Sequence, residues 1–259
     1  LICEVIDMLK KERLLTIVNM VNNEGIVTVN DFMTKLNVSD MTIRRDLDEL
    51  EKNGKIIRIH GGAQSISYSL DQELSHSEKQ SVQIDEKKKI AKAAAVLIND
   101  GDTVFLGPGT TIELLAKFLL NKPIRIITNN YPVFSILSEA SVPDILLIGG
   151  DYRRNTGAFV GAVANDTLRK LKFTKAFISS NGVHNNQIST YSIEEGEAQQ
   201  IALNNSFHKY LLVDNKKFNR DDFYVYYDLH DFDYLITDNK LSKETYNHYT
   251  QYVDIHLAD

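Results

Sequence analysis

The chain has 259 residues, 43% of them hydrophobic and 25% charged, with a formal net charge of −6. These proportions fit an ordinary globular protein of one large or two unequal domains, and they exclude a low-complexity chain and a wholly basic nucleic-acid coat. One cysteine, Cys3, excludes an internal disulfide framework and a Cys-based zinc cage and predicts a reducing, cytoplasmic setting. No apolar run is long enough to span a membrane. The apolar start, Leu1 to Leu9, is broken by Glu4 and Asp7 and is too short for a secretory signal. The chain does not begin with Met, which leaves open whether residues 1–7 belong to the native protein.

Lys10 to Asn22 predicts a helix, with Leu14, Ile17, Val18 and Val21 at spacings of three and four. Gly25 terminates it, Ile26 to Val29 is a short extended piece, and Asn30 is placed to cap a brief helix through Leu36. Ser39 caps a third helix that stops at Asn53-Gly54. A strand, Lys55 to Ile59, and a turn, His60-Gly61-Gly62, follow. Three short helices, a strand and a glycine turn make a winged helix-turn-helix pattern.

In the third helix Ile43, Leu47 and Leu50 form the buried stripe, so Met41, Arg44, Arg45 and Asp48 lie opposite, with Thr42 on the flank. A major groove accepts such polar and cationic side chains, and the arginine fork suits guanine edges and phosphates. The alternative is an amphipathic surface helix with Arg44 and Arg45 paired to Asp48 and Glu49. From Lys52 to Leu70 there are three basic residues, Lys52, Lys55 and Arg58, and no acidic one. Lys55 and Arg58 are therefore candidates for phosphate contact.

Residues 64–84 are polar, Ser-rich and weakly periodic and read as a linker with some helical character. Beyond them helix and strand alternate: helix 85–99, strand Thr103–Leu106, helix 111–120, strand Ile124–Thr128, helix 131–138, strand Ile145–Ile148, helix 160–171, strand Lys175–Ile178, helix 193–205 and strand Tyr210–Val213. A last strand, Tyr234–Thr237, precedes a polar tail. Such alternation predicts a mostly parallel sheet covered by helices.

Gly107-Pro108-Gly109-Thr110-Thr111 sits between a strand and a helix. Free backbone N–H groups, a positive dipole end and close approach over glycine make this a candidate phosphate cradle. The alternative is a capping box, Thr110-x-x-Glu113, that merely satisfies the helix end. Other small polar turns fall at the carboxyl ends of strands, where open α/β sheets bind ligands. They are Thr128-Asn129-Asn130, Gly149-Gly150, Ser179-Ser180-Asn181-Gly182 and Asp214 to Phe218.

Arg13 with Ile17, the run Val38-Ser39-Asp40-Met41-Thr42-Ile43-Arg44-Arg45-Asp46-Leu47, and Gly54 through Arg58, His60 and Ala63 resemble the DNA-binding domain of the DeoR family of bacterial repressors. The resemblance implies that Ser39, Thr42, Arg44 and Arg45 face operator DNA and that Arg58 and His60 lie on the wing. Gly109-Thr110-Thr111, Thr128-Asn129, Leu147 to Gly150, Ala176 to Ser179, Thr190 with Glu195, and Asp214-x-x-Lys217-Phe218 resemble the family's sugar-phosphate-sensing domain, whose fold is similar to ribose-5-phosphate isomerase and glucosamine-6-phosphate deaminase. Gly107-Pro108 replaces the family's usual Asp-Ser, and Gln199 stands where many relatives carry Lys. The loop variant is most similar to the branch that governs lactose catabolism in Gram-positive bacteria, which implies tagatose 6-phosphate as inducer.

The expected organisation is a DNA-binding domain over 8–63, a linker over 64–84 and an effector domain over 85–259. The expected partners are double-stranded operator DNA, a sugar phosphate at Gly109, Thr110, Thr111, Asn129, Gly150, Gly182, Glu195, Asp214 and Lys217, and further copies of the chain in a homodimer or homotetramer. No metal or cofactor is expected. A sugar-phosphate isomerase is the rival reading for the second half, with Glu195 or Asp214 as base, Lys217 polarising an oxygen, and His184 or His208 as shuttle. A repressor responding to a different phosphorylated sugar is another. The attached DNA-binding module favours a sensor over an enzyme.

Overall fold

The structure, a computed structural model, describes residues 2–59, 61–65, 76–138, 140 and 144–259, with only the backbone of 2–9 and 23. The chain divides into two compact units, 1–72 and 73–259. Among the described residues no helix is long and apolar enough to cross a membrane.

The first unit runs α1 (Ile2–Glu24), β1 (Ile26–Thr28), α2 (Val29–Leu36), α3 (Asp40–Lys52), β2 (Ile56–Ile59) and β3 (Gly62–Ser65). The strands form an antiparallel sheet in the order β1-β3-β2, so the third strand lies between the other two. Residues 64 and 65, expected in the linker, therefore belong to this sheet. The cap of α2 is Thr28 rather than Asn30: Thr28 and Asp31 bond reciprocally to each other's backbone N–H. Ile17, Val21, Phe32, Ile43, Leu47 and Ile56 are fully buried between the helices and the sheet. Gly62 passes so close to β1 that a Cβ there would sit 2.3 Å from the Val27 carbonyl oxygen. Only glycine lets β3 slot between β1 and β2.

The second unit opens with α4 (His76–Ser81), inside the stretch read as a linker, and α5 (Ile84–Val96). Then come β4 (Thr103–Leu106), α6 (Thr110–Phe118), β5 (Arg125–Thr128), α7 (Tyr131–Ser138), β6 (Ile145–Leu147), β7 (Asp151–Arg153), β8 (Ala158–Val160), α8 (Gly161–Leu168) and β9 (Phe173–Ile178). The chain continues through β10 (Gly182–His184), β11 (Gln187–Thr190), α9 (Ile193–Asn204), β12 (Ser206–Leu212), β13 (Tyr224–Asp228), β14 (Tyr234–Asp238), α10 (Lys243–Tyr249) and β15 (Ile255–Ala258).

Seven parallel strands form the main sheet in the order β15-β14-β12-β9-β4-β5-β6. The expected α/β architecture is present. The polar tail is not: α10 and β15 close the unit, with β15 pairing on β14. Two further pairings have no counterpart in the helix–strand alternation, the β7-β8 hairpin and the antiparallel sheet β10-β11-β13. Helices α5, α6 and α7 bury Ile90, Leu115 and Val133 in one core cluster, and α8 and α9 with the small sheet bury Leu168, Ala202 and Ile188 in another. The chain steps from β4 outward to β5 and β6, then returns to lay β9 on the other side of β4. That reversal opens a crevice at the carboxyl ends of β4 and β9, the usual ligand position in an open α/β sheet.

Candidate functional site

The first unit presents α3. Ser39 closes its N-terminus, accepting from Thr42 N at 3.3 Å, with its Oγ 3.0 Å from Thr42 Oγ1. Ile43, Leu47 and Leu50 point inward as their spacing requires, and Met41, Arg44 and Arg45 are exposed. The ion pairs differ from those expected of a plain amphipathic helix. Arg44 Nε bonds both Asp40 oxygens at 2.9 Å, Asp48 takes the Arg58 guanidinium, and Glu49 takes Lys10 at 2.7 Å. Among the described residues Arg45 has no side-chain partner. Lys55 is exposed, and the Arg58 N–H donates to Glu51 Oε1 at 2.9 Å, which fastens β2 to the end of α3. His60 lies outside the described residues.

In the second unit a cleft of about 620 Å³, mouth included, opens at the carboxyl ends of β4, β9 and β12. Gly109, Thr110, Thr111, Glu195, Asp214 and Lys217 all line it. Gly109 is the first link. Its φ of +136° bends the chain from β4 into α6, and a Cβ there would lie 3.2 Å from Ser179 Cβ. The capping box does not form. The residue at the cap is Gly109, which has no side chain to bond, and Glu113 turns instead to α4, accepting from Gln80 Nε2 at 3.1 Å and lying 2.5 Å from His76 Nε2. The hydroxyls of Thr110 and Thr111 have no partner among the described residues, so the first turn of α6 keeps its donors for the cleft.

Cations face this turn. Lys217, on the short helical turn after Asp214, has its pKa lowered to about 8 by burial, with Lys79, Arg220 and Lys87 adding to the effect and Asp214 opposing it. Lys87 is also lowered, first by burial, with Asp214 and Glu113 pulling it back up. Lys79 thus weakens the charge of both Lys87 and Lys217, and Lys87 that of Lys217.

The opposite wall is a carboxylate. Glu195 is buried in the first turn of α9, where the Thr156 hydroxyl donates to it and Arg153 reaches it at 3.4 Å. Both partners come from the β7-β8 hairpin. Tyr226 OH donates to the Ser179 carbonyl at 3.3 Å and to Gln199 Oε1 at 3.4 Å; its burial raises its pKa and keeps it a neutral donor. Gln199 itself lines the cleft.

Three expected residues do not line the cleft. Asn129 is fully buried and spends its Nδ2 on the Phe159 carbonyl at 2.9 Å. Gly150 allows close packing, since a Cβ would lie 2.5 Å from the Val160 carbonyl oxygen, and a Cβ at Gly182 would lie 2.4 Å from that of Arg220. The proposed shuttles His184 and His208 are half-exposed partners of Asp221 and Asp233, also outside the cleft.

Conversely, His76, Lys79, Lys87 and Thr156 line it without having been singled out from sequence. His76 and Lys79 share a face three residues apart, a spacing hidden by reading 64–84 as a linker.

Comparison with known proteins matches two family descriptions, "DeoR-like helix-turn-helix domain" over residues 13–69 and "DeoR C terminal sensor domain" over residues 82–239. The chain is 48% identical over 255 residues to the lactose phosphotransferase system repressor of Lactococcus lactis subsp. lactis, covering 97% of this chain and 100% of that one. It is 46% identical over 251 residues to the lactose phosphotransferase system repressor of Staphylococcus aureus (strain NCTC 8325 / PS 47), covering 95% and 100%. Against the corresponding repressor of Streptococcus mutans the identity is 45% over 247 residues, covering 92% and 98%. Among solved structures, ribose 5-phosphate isomerase A from Methanocaldococcus jannaschii matches with a TM-score of 0.40 at 20% identity, over 52% of this chain and 54% of that one.

Proposed function

The chain belongs to the DeoR family of DNA-binding repressors, and from that premise we infer that it represses lactose-catabolic genes and leaves its operator when a sugar phosphate fills the cleft. In this reading the first unit, through β3, carries DNA recognition, and the second unit, from α4 onward, carries effector binding. The observation behind it is the meeting, in one crevice, of the donor-rich first turn of α6 with Lys79, Lys87 and Lys217. A phosphate is the group such a cradle suits, because helix N–H donors and lysine charges both strengthen on a dianion. Glu195 and Asp214 lie across the same space and suit sugar hydroxyls.

Tagatose 6-phosphate is the inducer we favour, on the strength of the Gly107-Pro108-Gly109-Thr110-Thr111 loop and the lactose repressors the chain resembles. The relatives are named as repressors, so the cleft is read as a sensor rather than a turnover site. Glu195, the best-placed base, is engaged by Thr156 and Arg153, and no histidine other than His76 lines the cleft among the described residues. At least a dimer is proposed as the binding unit, because one winged module covers little DNA and two half-sites multiply the energy.

Operator affinity measured with and without tagatose 6-phosphate tests the reading. The sugar should weaken wild-type binding by roughly 5–150-fold, the range of ordinary allosteric coupling. Thr110→Val and Lys217→Ala should bind DNA like wild type and ignore the sugar. Mutants that still respond like wild type would misplace the site. A wild type insensitive to every ketose phosphate, or turning one over, would defeat the inducer or the sensor assignment respectively. Light scattering that finds only monomers, on and off DNA, would remove the dimer.

A further inference from the structure

We propose that Gln199 is a specificity-determining residue of the cleft: braced by Tyr226, it turns the N–H2 half of its amide to the ligand and donates to an uncharged oxygen of the sugar. This rests on the sugar-phosphate reading of the same cleft and adds to it a group that recognises the sugar rather than the phosphate.

Gln199 follows Glu195 by one turn of α9, so the two share a helix face, and both line the cleft. The residue is only 3% exposed. One half of its amide is accounted for. Oε1 lies 3.4 Å from Tyr226 OH and beside the backbone of Gly107, where a Cβ would come within 3.6 Å of it. The other half is not: among the described residues Nε2 has no partner. A nearly buried amide N–H2 needs an acceptor, and here it takes one from what enters the cleft.

Tyr226 decides which half faces inward. Its hydroxyl lies between Gln199 Oε1 and the Ser179 carbonyl, two acceptors at 3.4 and 3.3 Å, and burial raises its pKa so that the proton stays. A hydroxyl that keeps its proton favours an acceptor opposite it, which leaves the N–H2 half for the cleft. Close packing brings the ring this near. A Cβ at Gly196, three residues before Gln199, would lie 2.6 Å from Tyr224 Cδ1 and 3.0 Å from Tyr226 Cβ, so β13 approaches α9 over a glycine. Tyr226 does not itself line the cleft, which makes it a positioning residue.

The charges divide the cleft between two tasks. Lys87 and Lys217 respond between them to Asp214, Glu113, Lys79 and Arg220, whereas Tyr226, beside Gln199, responds to Glu195. On the α9 wall a carboxylate, already engaged by Thr156 and Arg153, therefore stands next to a neutral amide. The carboxylate accepts from hydroxyls and the amide donates to a carbonyl or hydroxyl oxygen. That pairing suits the uncharged part of a sugar, and a second anionic group there would meet Glu195.

Calorimetry on the full chain tests this, with tagatose 6-phosphate and inorganic phosphate as separate probes. Gln199→Met keeps the length of the side chain and removes both polar atoms. It should weaken binding of the sugar phosphate about tenfold, the loss expected of one hydrogen bond to an uncharged oxygen, and leave inorganic phosphate as in wild type. An equal loss for both probes would mean damage to the whole cleft and overturn the proposal. Gln199→Glu keeps an acceptor for Tyr226 and removes the donor, so it should lose at least as much sugar affinity; wild-type affinity in this variant also overturns the proposal. Tyr226→Phe removes only the hydroxyl. It should weaken sugar binding in wild type and change nothing further in Gln199→Met. No loss in wild type, or the same loss in both backgrounds, overturns the brace. Sugar binding that Thr110→Val and Lys217→Ala weaken and Gln199→Met does not defeats this proposal and leaves the sensor reading standing; a wild type that does not bind the sugar defeats both.

Discussion

Arg13 of α1 and Asp46 of α3 form a two-pronged ion pair, Nε to Oδ2 at 2.5 Å and Nη2 to Oδ1 at 3.2 Å, with the Asp46 side chain only 3% exposed. The pair pins the recognition helix to the first helix from its inner side, one residue after Arg45 and next to the apolar Leu47. Asp46 is thus a scaffold residue beside the outward-facing Arg44 and Arg45.

Breaking that pair strands a buried charge. Arg13→Ala should cost about 3 kcal/mol of stability, in the range for removing one partner of a buried pair. Urea unfolding of the full chain should show the loss in the transition of the DNA-binding unit, with sugar binding untouched. An unchanged midpoint would mean that the pair contributes nothing net.

Arg45 is the side chain on α3 best placed to read bases. Asp40 holds Arg44 and Asp48 holds Arg58, whereas Arg45 is exposed with no partner among the described residues. Arg45→Ala should lose about 1–3 kcal/mol of specific binding if the fork contacts a guanine. Wild-type operator affinity in a folded mutant would take Arg45 out of the interface.

Lys55 should act differently. It is exposed at the foot of the wing, in a stretch from Lys52 to Leu70 that contains no acidic residue. Neutralising it should lower the slope of log affinity against log salt by about one unit, with the same loss on every sequence. A loss confined to the operator would assign it a base rather than a phosphate.

Inducer binding should depend on pH on the alkaline side. In the empty cleft burial and the lysines around it bring Lys217 down to about 8. A bound dianion favours the charged amine and raises that value, so binding takes up a proton above it. Affinity should therefore be complete below about pH 8 and fall above it, by at most about tenfold per pH unit for one group. Below about pH 6 the phosphate itself gains a proton and affinity should fall again. Calorimetry at about pH 8.5 in two buffers of different ionisation enthalpy reads the uptake directly. Lys217→Ala should flatten the alkaline limb, and a wild-type profile that is flat there would contradict the proton linkage.

The sequence by itself determined the features whose cause is local. The stripe Ile43, Leu47, Leu50 fixes which face of α3 is buried, because a helix repeats every 3.6 residues whatever surrounds it. Ser39 caps because its hydroxyl reaches an N–H three residues on, and the turns after β4, β9 and β12 fall at strand ends because the alternation of elements puts them there. Partners far apart in sequence were decided only by tertiary structure. Thr110 and Glu113 have the spacing of a capping box, yet Glu113 satisfies His76 and Gln80, more than thirty positions earlier. Asn129, Gly150 and Gly182 sit at strand ends like Gly109, but close packing by Phe159, Val160 and Arg220 removes them from the cleft. His76 and Lys79 lie in a stretch whose weak periodicity allows some helix without locating it, and α4 is held where Glu113, Asn155 and Asn181 receive it. Helix periods and caps follow from the covalent neighbourhood; which carboxylate meets which cation follows from where the folded chain brings them together.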